Sequence, residues 1–92
     1  MIGYVDCECM IYDTQSLKEK RAVLQRVLTR IKQKYNVSIS EIEFQDTWQH
    51  TKFGIVAITS SKVSTEKELN HVLSFIDSFP EIERTVTTFE WF

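Results

Sequence analysis

Three cations crowd the first turns of a predicted helix in the segment SLKEKR, residues 16–21. They are Lys18, Lys20 and Arg21, and they stand where the positive end of the helix dipole favours Asp and Glu. Cations at this place, together with the free backbone N–H groups of a helix start, could bind a phosphate or a carboxylate. The structural alternative is that Lys20 or Arg21 forms an ion pair with a nearby acid, Asp46 being the first candidate.

Charge is distributed unevenly along the chain. The net charge is −2, yet residues 13–35 hold seven of the eleven Lys and Arg against Asp13 and Glu19, a local balance of +5 that leaves −7 for the rest. At 100° per residue, Lys20 and Arg21 flank the apolar stripe of the helix, whereas Lys18, Arg26 and Arg30 point towards water. A basic helix on an acidic body suits an anionic partner, but a solvated amphipathic helix gives the same pattern.

Hydrophobic periodicity predicts the elements that position these cations. Ser16 with Glu19, and Thr65 with Glu68, have the spacing of a capping box and each predict a helix start. Apolar alternation predicts strands, with a bulge or an edge twist between Ile39 and Ile42 in the second of them. The predicted elements are a strand within 1–12, a helix over about 17–35, a strand over about 37–45, a strand within 52–60, a helix ended by Pro80, and a strand within 84–92.

The order β-α-β-β-α-β predicts an α+β, ferredoxin-like sandwich that occupies residues 1–92 as a single domain. Right-handed crossovers then give an antiparallel sheet of order 4-1-3-2 with both helices on one face and the other face open. In this fold the first helix begins beside the turn QDTWQH. We therefore expect the SLKEKR cations to share a binding site with Gln45, Asp46, Trp48, Gln49 and His50. Trp48 could anchor a partner, although loop tryptophans more often fold back over the end of a core.

The sequence does not favour catalysis or metal binding. Cys7 and Cys9 fall on the core face of the first strand, where small buried hydrophobes are expected rather than nucleophiles. His50 and His71 are isolated in sequence, so neither a metal site nor a cofactor is predicted. Small phosphatases of this strand order have a glycine-rich phosphate loop after the first strand, and the loop DTQS has no glycine. These features favour a binding module over an enzyme.

A family resemblance accompanies this interpretation. The segments SLKEKR, NVSISEIE, QDTWQ and GIVAI resemble the YlxP-like family of small bacterial domains of unknown function, and the similarity spans nearly the whole chain. His50 stands where many relatives have Arg. The resemblance implies a ferredoxin-like fold and an association with gene clusters for transcription and translation factors, without an established reaction.

The leading hypothesis is a non-enzymatic module that contacts RNA, the ribosome or the translation machinery through its basic first helix. On the open sheet face, Asp6 and Glu8 would repel RNA, whereas Met10 and one side of the third strand suit protein contact. The alternative is therefore a homodimer formed through that face, with no nucleic-acid role. The first twelve residues lack the features of a signal peptide and no apolar run is long enough to span a bilayer, so we expect a cytoplasmic protein without membrane contact.

Overall fold

Four strands and two helices follow one another in the order that the periodicity predicts. The structure, a computed structural model, describes residues 1–92. Its sheet has the order β2-β3-β1-β4, every neighbouring pair is antiparallel, and the helices pack on one face, which confirms the ferredoxin-like α+β fold. The elements are β1 (Ile2–Ile11), α1 (Leu17–Lys34), β2 (Ser38–Glu43), β3 (His50–Ile58), α2 (Lys62–Asp77) and β4 (Ile82–Trp91).

The core lies between the sheet and the helices. Alternate side chains of β1 are buried, and they include both cysteines, as the sequence predicts. Residues that face each other in an antiparallel pair share a face, so Phe53 and Ile55 of β3 join Cys7 and Val5 in this layer. The helices complete it with apolar stripes centred on Val27 and Ile31 in α1 and on Leu69, Val72 and Ile76 in α2. No helix is both long and apolar enough to cross a membrane.

One of the two predicted helix starts is confirmed and the other is wrong. At α1, the Ser16 side chain accepts from the Glu19 N–H at 3.1 Å, as a capping box requires. At α2 the N-cap is Ser61, four residues before Thr65. Thr65 is fully buried inside the helix, where its hydroxyl lies 2.9 Å from the Ser61 carbonyl oxygen. Threonine can satisfy its hydroxyl on the preceding turn in this way, which is why its spacing from Glu68 misleads.

A buried ammonium group joins the start of α1 to the end of β2. Lys20 has no exposed surface, and its Nζ donates to the carbonyl oxygen of Phe44 and lies 3.0 Å from Oε2 of Glu41. Glu41 also accepts a hydrogen bond from the hydroxyl of the fully buried Thr51. The predicted ion pair therefore exists and involves Lys20, but the predicted partner is wrong, because Asp46 is exposed in the loop.

The predicted bulge explains the choice of partner. The register of β2 against β3 shifts between Glu41 and Glu43, which confirms an irregularity in this strand. Glu41 pairs with Phe53, a core residue, and so directs its side chain towards the helices rather than towards the open face. Phe44, directly after the strand, has a φ of 65°, a left-handed conformation that is uncommon outside glycine. Both features place acceptors around Lys20.

We expect Lys20→Met to lower the free energy of unfolding by about 2–4 kcal/mol, because removal of one partner leaves the Glu41 carboxylate largely buried and unpaired. Its neighbour Arg21 is exposed and forms no ion pair, so Arg21→Met is a matched control that should change stability by less than about 0.5 kcal/mol. Urea denaturation monitored by circular dichroism measures both. Equal midpoints for the two variants would contradict a structural role for the Lys20 ammonium.

Candidate functional site

The structure divides the cations that the sequence groups at the start of α1. Lys20 belongs to the core, while Lys18 and Arg21 are exposed and form no ion pair. A carboxylate already stands at this helix start, since Glu19 accepts from the backbone N–H of Gln15 at 2.8 Å. An anion placed here would meet two cations rather than three, beside a fixed negative charge.

The loop 44–49 lies against the segment that precedes α1, as the topology predicts. The hydroxyl of the buried Thr14 donates to the backbone oxygen of Trp48 at 2.8 Å, and the Gln49 side-chain amide donates to the Thr14 carbonyl at 3.3 Å. At the base of the loop, the rings of Phe44 and His50 stack with their centroids 4.0 Å apart. Gln45 and Asp46 are exposed. These contacts fix the position of the loop without using its tryptophan ring.

Trp48 does not fold back over the core, which corrects the expectation for its side chain. Its relative exposure is 51%, and the structure assigns its ring no aromatic partner. The segment is held by hydrogen bonds to its backbone, and the buried side chain at this end is Thr14. The indole is therefore free to contact a partner beside the Lys18 and Arg21 end of α1.

Two further cations of α1, Arg26 and Arg30, line a groove between α1 and the end of α2. This α1–α2 groove has a volume of about 390 Å³ and is lined by Arg26, Arg30, Phe75, Ser78, Phe79, Pro80 and Glu81. The guanidinium groups of Arg26 and Arg30 lie 6.0 and 5.9 Å from the centroid of the Phe79 ring. Both distances are in the range of cation–π contacts.

A third cation continues the row along α1. The Lys34 ammonium lies 5.0 Å from the Phe75 ring centroid and 5.6 Å from that of Tyr35. The rings themselves pack edge to face, Tyr35 on Phe75 at 5.7 Å and Phe75 on Phe79 at 5.3 Å. Residues four apart share a helix side, so Arg26, Arg30 and Lys34 form one row over a connected line of rings.

The charges in this row are only partly neutralised. Arg26 donates to the Glu81 carboxylate at 2.8 Å. No acid lies within 4.0 Å of Arg30 or Lys34. The row of Arg26, Arg30 and Lys34 thus offers one paired and two unpaired cations on an aromatic base, an arrangement suited to phosphate and to the flat faces of bases.

Sequence reasoning placed Arg26 and Arg30 in the candidate site but missed Lys34 and the rings. The signal for Lys34 is the recurrence of cations at positions 26, 30 and 34, four residues apart. Apart from Tyr35, the aromatic partners come from α2 and the residues after it, about forty to fifty positions away, and only the tertiary structure brings them to α1. The structure therefore separates the site in two, with Arg26 and Arg30 in the groove and Lys18, Trp48 and His50 at the other end of the helix.

Arg21 contributes to a second groove on the opposite side of α1. It is lined by Arg21, Leu24, Gln25, Leu28, Thr29, Lys32 and Glu41, with a volume of about 420 Å³. Apart from the half-buried Leu28 and the buried Leu24, its walls are polar, and it contains no aromatic ring. Its cations face Glu41, the acid already bonded to Lys20.

Both cysteines lie in the core of the sheet. Cys7 and Cys9 have no exposed surface, and hydrogen bonding to Cys7 together with burial raises the pKa of the Cys9 thiol. Cys9 is therefore held as a thiol. No group of three or more His, Cys, Asp or Glu side chains is arranged to hold a metal ion.

Comparison with known proteins gives a family for the chain. A family model described as "Protein of unknown function (DUF503)" matches residues 2–89. The chain is also 71% identical to the uncharacterized protein YlxP of Bacillus subtilis (strain 168), over 92 residues that make up the whole of both chains. This agrees with the YlxP-like resemblance of the sequence segments described above. The chain belongs to the DUF503 family.

Proposed function

We propose that this domain is a non-enzymatic module that binds RNA with unpaired bases through the α1–α2 groove. The observation that carries the proposal is the row formed by Arg26, Arg30 and Lys34 over the Phe79 and Phe75 rings. Proteins recognise single-stranded RNA by combining cations that track the phosphates with planar groups on which bases stack.

The unpaired cations supply the attraction for phosphate. Arg30 and Lys34 lie one helical turn apart, about 6 Å along the axis, which approximates the spacing of successive phosphates in an extended strand. Because neither side chain has a protein acid to displace, phosphate binding there costs no internal ion pair. Release of condensed counterions then makes the affinity salt-dependent.

The arginines supply the planar surfaces. Guanidinium groups stack on aromatic rings and on bases alike. Phe79 is itself almost fully buried, so its own ring offers little surface to a base, while the two guanidiniums above it are exposed. Packing on Phe79 restricts the rotamers of Arg26 and Arg30 before RNA arrives, which lowers the entropy cost of ordering them on binding.

The acidic remainder of the domain limits the affinity. Glu81 lies in the groove beside Arg26, and the residues outside 13–35 carry a balance of −7. RNA should therefore approach along α1 and avoid the acidic body. We therefore expect modest affinity for RNA alone and tighter binding where a larger particle offers a second contact. Ribosomal particles are the probe for this, because the YlxP-like resemblance implies an association with translation-factor genes.

We expect a single-stranded RNA of about ten nucleotides to bind with log K falling against log salt at a slope near −2, since about three neutralised phosphates contribute about −0.7 each. Arg30→Gln/Lys34→Gln should bring the slope to about −0.7 and weaken binding at least tenfold at low salt. Fluorescence anisotropy of labelled RNA measures both quantities.

Two further variants remove the same charge elsewhere and serve as controls for this measurement. Lys62→Gln/Lys67→Gln changes exposed residues of α2 and should leave the slope unchanged. Lys18→Gln/Arg21→Gln tests the start of α1, and its effect should be smaller than that of the groove variant. Equal losses from all three pairs would indicate nonspecific attraction, and no binding to RNA or ribosomal particles at low salt would remove the nucleic-acid function.

We also expect Phe79→Leu to weaken RNA binding about three- to tenfold while the salt slope stays near that of the unchanged protein. Leucine preserves an apolar base but removes the ring under the two guanidiniums, so the charges remain while their preorganisation is lost. A denaturation curve must first show that the variant is folded at the assay temperature, because Phe79 is part of the core. An affinity equal to that of the unchanged protein would show that the stacked arrangement does not contribute to binding.

A further inference from the structure

The sheet face opposite the helices carries a surface that the proposed RNA site does not use. Side chains that alternate with the buried residues of β1 point to this open face, and their partners on β3 lie beside them. The helices contact the sheet only from the other side, so the open face has no covering element. Its paired positions are Ile2 with Ile58, Tyr4 with Val56, Asp6 with Gly54, Glu8 with Lys52, and Met10 with His50.

One half of the open face is apolar and exposed. Ile2, Val56 and Ile58 have relative exposures of 41%, 40% and 62%. Ile42, from the bulge of β2, is 40% exposed and approaches the same face beside Gly54 and Tyr4. Contiguous exposed aliphatic side chains of this kind are typical of a protein-contact surface.

The other half is acidic. Lys52 lies 3.9 Å from Asp6 and 3.8 Å from Glu43, so a single ammonium group serves two carboxylates. Glu8 and Glu83 add negative charge near Met10. Glu90 lies opposite Tyr4 on β4 and so adds a carboxylate beside the apolar half. Burial and the acids Asp6, Glu90 and Glu43 raise the pKa of the Tyr4 hydroxyl, as expected where negative charge accumulates.

We propose that the open sheet face binds a basic amphipathic helix of a partner protein. The aliphatic half would bury the apolar stripe of such a helix, and the carboxylates would face its lysines and arginines. The negative charge of this face repels RNA. It also disfavours a second copy of this domain, because each of the two faces that would meet carries five acids and one lysine.

The dimensions of the face determine the length of the partner segment. β1 has ten residues and β3 has nine, so at about 3.3 Å per residue the face is about 30 Å long. A helix of about 20 residues has the same length. The helix would complete a third layer on a sheet that has helices on only one side.

The probe is a 20-residue peptide whose leucines follow helical spacing and whose other positions are lysine. A peptide with the same leucines and glutamate in place of lysine tests the charge, and a peptide of the same composition in scrambled order tests the amphipathic stripe. We expect micromolar binding of the first peptide only, with amide chemical-shift changes confined to the open-face residues of β1 and β3 in ¹H–¹⁵N spectra of the full chain.

Val56→Lys should weaken peptide binding at least tenfold, because it places an ammonium in the centre of the apolar half. Thr29→Lys adds the same charge on the exposed side of α1 and should have little effect. Glu43→Gln/Glu90→Gln changes only exposed side chains, so the fold is retained, and it should weaken binding by three- to tenfold.

Three outcomes would overturn the proposal. Equal weakening by Val56→Lys and Thr29→Lys would mean that charge alone attracts the peptide. Dimerisation of the unchanged protein at tens of micromolar in sedimentation, abolished by Val56→Lys, would assign the face to a second copy instead. A monomer that binds none of the peptides would leave the face without the proposed partner, whatever the result of the RNA experiments.

Discussion

The arrangement of this domain depends on the buried ammonium of Lys20. A charged group without solvent contact is tolerated only when partners replace its hydration, and here they are the Phe44 carbonyl and the Glu41 carboxylate. Glu41 is itself held by the hydroxyl of Thr51. The cluster therefore joins three elements, α1, β2 and β3, through directional contacts that an apolar core would not supply.

That constraint sets the rotation of α1 and hence the position of its other cations. With Lys20, Val27 and Ile31 facing the sheet, residues 26, 30 and 34 fall on the side of the helix that meets the end of α2, and residues 21, 28 and 32 fall on the side of β2. Only the first side encounters aromatic rings. The position of the α1–α2 groove is thus a consequence of how the helix is fixed at its first turn, although Lys20 is buried and does not line the groove.

The sequence predicts the fold well and the site only in part, for reasons that differ between residues. Period-2 alternation in β1 and the Ser16 cap are local signals, and both the strand and the first helix appear as predicted. The Thr65 start is wrong because a hydroxyl can cap a helix or bond to the preceding turn, and spacing alone does not distinguish the two. Lys20 and Arg21 are adjacent cations, yet Lys20 is buried and Arg21 is exposed. This difference depends on the bulge in β2 and on the left-handed conformation of Phe44, and no pattern in residues 16–21 predicts either.

The two surfaces that remain after folding have opposite charge, and this follows from the topology. Because both crossovers place their helices on the same side of the sheet, the basic α1 is confined to that side and the carboxylates of β1, β2 and β4 that alternate with the core appear on the other. Neutralisation between the faces is prevented by the intervening sheet, and only Lys52 compensates the acids locally. The domain therefore has a basic surface on one side and an acidic surface on the other, and the proposed RNA site and the proposed site for a basic helix share no residues.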